Sequence, residues 1–186
     1  HAKCSMAPFC ASGHEPIRVF FMVVVLLDTG TPLKTCFIVN PRSGRAARIL
    51  SAVRSFAHAQ AAEVALTERP RHAAGLASRA VAAGCDRVVA VGGDGTMNEV
   101  AGALVGTGVV LGLVPCGSGD GFGRHLGIHG RPAHAFEILR RGQSRLIDTG
   151  VADGHPFFSV AGLGLEAEIA REFNQGVHRG FLRYLT

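Results

Sequence analysis

Three short apolar runs in this chain each break into a glycine-rich turn that opens a helical stretch. The segments are Lys34–Val39 followed by Asn40-Pro41-Arg42-Ser43-Gly44, Asp86–Val91 followed by Gly92-Gly93-Asp94-Gly95-Thr96, and Val109–Val114 followed by Pro115–Gly121. Strands that alternate with helices imply βαβ units, a parallel sheet and helices on both of its faces. In such sheets ligands bind beyond the carboxyl ends of the strands, where each strand turns into its helix. The repeated pattern therefore constrains fold and site together: an α/β, three-layer, Rossmann-like lobe with its chemistry on one edge.

The remaining segments fit that plan. Apolar residues at 46, 49, 50, 53, 56 and 57 make a helical stripe over Ala46–Gln60. Ala61–Leu66 reads as a short strand, Pro70 opens a helix, and Gly84 stands just past its last turn. Met97–Leu104 and Pro132–Arg140 read as helices. After Gly142 the character changes: Ser144–Val151 and His155–Val160 read as strands joined by the hairpin signal Asp153-Gly154. The expected division is an extension of uncertain origin over 1–33, an α/β domain over 34–142, and the incomplete start of a β-rich second domain over 143–186. No functional residue is expected within 1–33. Val19–Leu27 is apolar for nine residues, too short to span a bilayer, and no A-x-A-like cleavage site follows it.

Composition excludes several classes. With 47% apolar and 18% charged residues among 186, the chain can build a core, and its 25 glycines cluster instead of repeating as in collagen. Without Trp and with a single Tyr, it lacks stacking platforms for single-stranded nucleic acid, and no nucleic-acid partner is expected. Only Lys3 and Lys34 are lysines, so arginine supplies the rest of the 19 basic side chains in a net charge of +5. Arginine favours bidentate contact with phosphate or carboxylate. Five cysteines, at 4, 10, 36, 85 and 116, form no C-x-x-C pair. Those at 36, 85 and 116 border apolar runs, which points to buried reduced thiols and a cytoplasmic compartment.

Glycine allows close backbone approach to a ligand, and successive N–H groups at a helix start form a positive concavity suited to phosphate. Ser43, Thr96 and Ser118 add hydroxyl donors. Asp94, a carboxylate between glycines in a loop built for anions, would repel phosphate unless it binds Mg²⁺ or accepts a proton. The alternative is a helix N-cap, and Thr96-Met97-Asn98-Glu99 also fits a capping box. Neither the Walker pattern nor the Rossmann dinucleotide fingerprint is present. His125 and His129 have i, i+4 spacing without a third ligand, so no metal site is expected there. Arg124 and His125 follow the third turn and either meet a phosphate or simply open a surface helix. Arg140-Arg141 suits a helix C-terminus.

The ordered set N-P-R-S-G, G-G-D-G-T-M-N-E and P-C-G-S-G-D resembles the catalytic domain of the diacylglycerol kinase and sphingosine kinase group of lipid kinases, over about Thr35–Thr186. Gly-Gly-Asp-Gly-Thr alone is shared with NAD kinases. The resemblance implies an ATP-binding lobe, a β-rich second domain, and a substrate cleft between them. By position it implies that Asn40, Pro41, Ser43, Gly44, Thr67, Gly92, Gly93, Asp94, Gly95, Thr96, Met97, Asn98, Glu99, Gly117, Ser118, Gly119 and Asp120 lie near ATP. Asp94 would act in catalysis and hold Mg²⁺ through water. Ile147–Gly150, Phe157–Gly164 and Gly180–Tyr184 resemble the start of the family's second domain. Two departures are Asp120-Gly121 where Asn-Asp is usual, and Ser159 where Asn is common. The general base is expected beyond Thr186. The implied reaction is phosphoryl transfer from ATP to a lipid hydroxyl of the diacylglycerol or sphingoid-base class, at a peripheral membrane contact, with homodimer formation left open. An NAD kinase-like enzyme and a nucleotide-binding module without transfer activity are the competing readings.

Overall fold

Thr-Cys-Phe-Ile-Val at 35–39 combines β-branched and aromatic residues, which suit a pleated surface, and all five side chains are buried. The computed structural model describes residues 18–24, 33–141, 145–152 and 155–158. In chain order the elements are β1 (Arg18–Val24), β2 (Thr35–Val39), α1 (Ala46–His58), β3 (Glu63–Leu66), α2 (His72–Ala82), β4 (Arg87–Gly92), α3 (Asp94–Leu104), β5 (Val110–Pro115), α4 (Gly121–His125), α5 (Pro132–Arg141), β6 (Arg145–Ala152) and β7 (His155–Phe157).

They form one sheet in the order β3-β2-β4-β5-β1-β6-β7. The pairs from β3 through β5 to β1 are parallel, whereas β1–β6 and β6–β7 are antiparallel. Right-handed crossovers that reverse direction along the sheet put helices on opposite faces. Accordingly α1 and α5 share one face: Phe37 meets Phe56 edge-on at 6.1 Å, and Phe56 stacks on Phe136 at 4.6 Å. The other face is covered by α2 and α3, which pack on each other. Phe37, Ile38, Leu111 and Leu113 are fully buried at the centre, each contributing about 2 kcal/mol through lost apolar exposure. The α/β architecture is the one expected.

The element ends differ where local backbone conformation decides them. Ala61 turns left-handed at φ +50°, and Ala62 N–H donates to Ala57 O, so β3 begins at Glu63 and not at 61. Arg71 is left-handed at φ +58°, which delays α2 from Pro70 to His72. Gly84 has φ +75° just past α2, and Cys85 N–H donates to Ala80 O, the helix stop its position predicts. The extension over 1–33 contains β1, which joins β5 to β6 in the sheet. The turn at 153–154 lies outside the described residues, but Ala152 pairs with His155 across it. The later parts of the second-domain motifs, Ser159 and Cys4 and Cys10 also lie outside them. Cys36, Cys85 and Cys116 are buried free thiols.

Candidate functional site

Because β2, β4 and β5 run parallel and in register, they end at one edge: Val39 lies opposite Val91, and Gly92 opposite Pro115. The chain leaves β2 toward β3 on one side and comes back as β4 on the other. The turns after β2 and β4 therefore flank the point where strand order reverses, the place where open α/β sheets form a crevice. The turn after β5 is next along the same edge.

Hydrogen bonds lock the three turns together. Asn40 Nδ2 donates to Thr96 Oγ1 at 3.1 Å, and the Asn40 Oδ1 accepts the Arg42 N–H at 3.1 Å. Gly93 N–H donates to Ser43 Oγ at 2.7 Å. Arg45 N–H donates to Cys116 O at 2.9 Å, and Cys116 N–H to Gly92 O at 2.7 Å. Two glycines are required by this closeness. Gly44 has φ +48° and a Cβ there would lie 1.9 Å from Cys116 O; one on Gly117 would lie 2.9 Å from Gly93 Cα. Gly95 is different: it is exposed in the first turn of α3, and a Cβ there would meet nothing within 4 Å. Packing inside the chain gives no reason for its missing side chain, which leaves room for a group from outside.

The carboxylates sit between the second and third turns. Asp94 is exposed at the start of α3, and its Oδ1 accepts the Phe122 N–H at 3.1 Å. Asp120 is buried and left-handed at φ +50°, with Oδ1 accepting the Gly117 N–H at 2.8 Å. Burial pushes its carboxyl upward and the charge of Asp94 adds to this, while the Gly117 N–H, Arg45 and Arg124 pull the other way. Arg124 Nε donates to Gly119 O at 2.8 Å, fastening α4 to the third turn. Burial pushes the Cys116 thiol up to about 12, so it is an inert packing group.

Of the residues singled out in the sequence, Asn40, Ser43, Gly44, Gly92, Gly93, Asp94, Thr96 and Gly117 make the contacts between turns just described, and Asp120 closes the third turn on itself. Gly95, Asn98, Ser118 and Gly119 are exposed along the rim, and Pro41 is half-buried beside Asn40. Thr67 follows β3 and donates its N–H to Val39 O at 2.9 Å, next to the first turn. Two residues point elsewhere. Met97 is fully buried in the core, and Glu99 Oε2 accepts the Ala73 N–H at 3.0 Å, serving the start of α2. The capping box does not form, because α3 begins at Asp94 and Thr96 is already inside the helix. Arg45 and Phe122 belong to this interlock without having been singled out. Their roles come from contacts 71 and 28 positions away, for which the local sequence holds no signal. Among the described residues no group of three or more His, Cys, Asp or Glu is arranged to hold a metal ion. A Mg²⁺ ion beside Asp94 would take its other ligands from phosphate oxygens and water, its usual manner in nucleotide sites.

Comparison with known proteins gives a consistent result. The family model named diacylglycerol kinase catalytic domain matches residues 34–152. A "Diacylglycerol kinase" of Mycobacterium tuberculosis is 32% identical over 122 residues, covering 63% of this chain and 40% of the relative. A protein of Chromohalobacter salexigens named "Probable lipid kinase YegS-like" is 37% identical over 98 residues, covering 50% of this chain and 32% of the relative. A diacylglycerol kinase crystal structure from Bacillus anthracis superposes with TM-score 0.60 at 25% identity, over 67% of this chain and 45% of that one. A second structure from that organism shares the fold with TM-score 0.61 at 23% identity, over 75% of this chain and 52% of that one. The chain spans between 20% and 40% of the length of the curated relatives it matches.

Proposed function

From the premise that the chain belongs to the diacylglycerol kinase catalytic-domain family, we propose that it is the nucleotide-binding part of an ATP-dependent lipid kinase. The observation that supports this most is the interlock of three glycine-rich turns at the carboxyl edge of β2, β4 and β5. In this reading the β- and γ-phosphates lie over the start of α3, whose N–H groups and dipole favour anionic charge. The open space at Gly95 admits the phosphates close to the backbone, and Ser118 and Asn98 offer polar contacts at the rim.

The acceptor hydroxyl oxygen attacks the γ-phosphorus, the bond from that phosphorus to the β–γ bridging oxygen breaks, and ADP departs with the electron pair. The hydroxyl proton goes to a general base, which we place beyond Thr186. Bound Mg²⁺ would neutralise charge on the β- and γ-oxygens. Asp94 is held with Oδ1 on the Phe122 N–H, which fixes its carboxylate toward the third turn as a partner for the metal or its waters. The lobe acts by positioning and charge stabilisation. We place the substrate domain after Gly142 and the acceptor in the class of diacylglycerol or sphingoid bases. Among the described residues no helix is long and apolar enough to cross a membrane, and a peripheral contact would bring the acceptor to the site.

Thermal-shift titration tests this reading. ATP with Mg²⁺ at a hundred times its Kd adds about 2.7 kcal/mol to the folded state. For a chain of this size that raises Tm by about 5–10 °C. NAD at equal concentration is expected to leave Tm unchanged; protection by NAD and not by ATP would overturn the lipid-kinase reading.

A further inference from the structure

Two stretches of this chain carry positive charge and no acid at all. Residues 40–62 contain Arg42, Arg45, Arg48 and Arg54 without one Asp or Glu, and residues 121–136 contain Arg124 and Arg131 with three histidines, again without an acid. The fold brings these stretches together. Arg45 NH2 donates to Gly130 O at 3.1 Å, tying the start of α1 to the loop before α5, and Phe56 stacks on Phe136 further along the same face. Arg42, Arg45, Arg48, Arg124 and Arg131 are all exposed. The adjoining acid on α5, Glu137, is paired with Arg140 and Arg141. The α2 and α3 side has no such bias: Glu68 and Glu99 intersperse with Arg69, Arg71 and Arg79. The basic face also borders the site, since Arg45 N–H holds Cys116 O and Arg124 Nε holds Gly119 O.

We infer that this face, centred on Arg42, Arg48 and Arg131, is where the protein lies on an anionic lipid bilayer. A continuous field of one sign beside the mouth of the turns raises the local concentration of an anionic partner. Arginines near an anionic leaflet each add to adsorption, and several act together. Among the described residues no large aromatic side chain is exposed as a platform on which single-stranded nucleic acid would stack, which favours the bilayer. The choice of a bilayer rests on the lipid-kinase reading; the one-signed surface does not.

The test is sedimentation of the full chain with vesicles of phosphatidylcholine alone or with about one-third phosphatidylglycerol. Binding is expected to the anionic vesicles only, and to fade as salt shortens the screening length from about 10 Å toward 3 Å. The combined variant Arg48→Gln, Arg54→Gln and Arg131→Gln, which leaves the three turns untouched, is expected to weaken vesicle binding about a hundredfold, from about fivefold per arginine. A control, Arg79→Gln on α2, removes positive charge from the opposite face and is expected to change binding little. Protection by ATP is read on the same samples and is expected to be equal in all. Absence of binding to anionic vesicles, equal binding by the triple variant, or equal loss in the Arg79 control would overturn the inference. So would a single-stranded RNA that binds more tightly than the vesicles and is lost with the same triple variant. Any of these with ATP protection intact leaves the lipid-kinase reading standing. Loss of ATP protection in the unaltered chain with vesicle binding intact removes that reading and keeps the surface.

Discussion

Asp120 carries two strains that its neighbours offset. A left-handed backbone at φ +50° costs a residue with a side chain about 1 kcal/mol, and burial raises the carboxyl pKa. The Gly117 N–H accepted by Oδ1 makes the conformation worthwhile by closing the third turn against Gly93. A raised pKa means that the folded state binds the proton more tightly than the unfolded chain does. The stabilising effect is present in full below the ordinary carboxylate range and is lost as pH rises through the raised value. Asp120→Asn keeps an oxygen for the Gly117 N–H and removes the titration. The difference in urea midpoint, variant minus wild type, should therefore grow in favour of the variant from about pH 3.5 to pH 7. A difference that stays constant with pH would remove the burial argument. The sequence showed an acid in a glycine-rich turn but neither its burial nor its handedness. The Asp94 charge that adds to its raised pKa comes from 26 positions away.

At the level of elements, Arg87 shows what periodicity does not reveal. The charged residue at the start of β4, Arg87, is only 5% exposed. Its guanidinium donates to Thr35 Oγ1 at 3.1 Å, to Leu139 O at 2.9 Å and to Gln60 Oε1 at 2.8 Å. One side chain thus ties β2, the last turn of α5 and the segment after α1, where carbonyl groups at a helix end favour a cation. Burial lowers its pKa. Arg87→Ala leaves three acceptors, two of them buried, without their donor and should cost about 3 kcal/mol, read from urea unfolding. Arg87→Lys should recover part of it, since an ammonium cannot match the guanidinium's spread. ATP protection should persist in both, because Thr35 and Arg87 lie at the amino ends of their strands, opposite the turns. A loss below about 1 kcal/mol would show that water replaces these bonds. The strands and the order of their turns were readable because apolar runs and glycine punctuation are local signals. The start of α3 at Asp94 and of α2 at His72 was not, because Ser43, Phe122 and Arg71 settle them through contacts and conformations that no local pattern encodes.

Over the whole molecule, the least readable feature is the one that joins its two ends. The nine-residue apolar run near the start supplies β1, whose register with β6 runs from Arg18 opposite Val151 to Val24 opposite Arg145. Nothing near it in sequence marks it as a strand of this sheet, since its partners lie about 90 to 130 positions away. Among the described residues β6 has only β1 and β7 as neighbours. A chain beginning at residue 34 would leave β6 and β7 as a two-stranded hairpin, which is marginal in water. The bonds described for the turns at the carboxyl edge of β2, β4 and β5 involve no atom of β1 and close within residues 40–124. The shortened chain should therefore keep ATP protection while the amides of 146–151 exchange at least tenfold faster than in the full chain, which corresponds to a loss of about 1.4 kcal/mol of local stability. Hydrogen exchange followed by mass spectrometry reads both regions in one experiment. Protection of 146–151 that survives the deletion would mean that the hairpin is held by something other than β1, and that the sheet's antiparallel end folds independently of the chain's start.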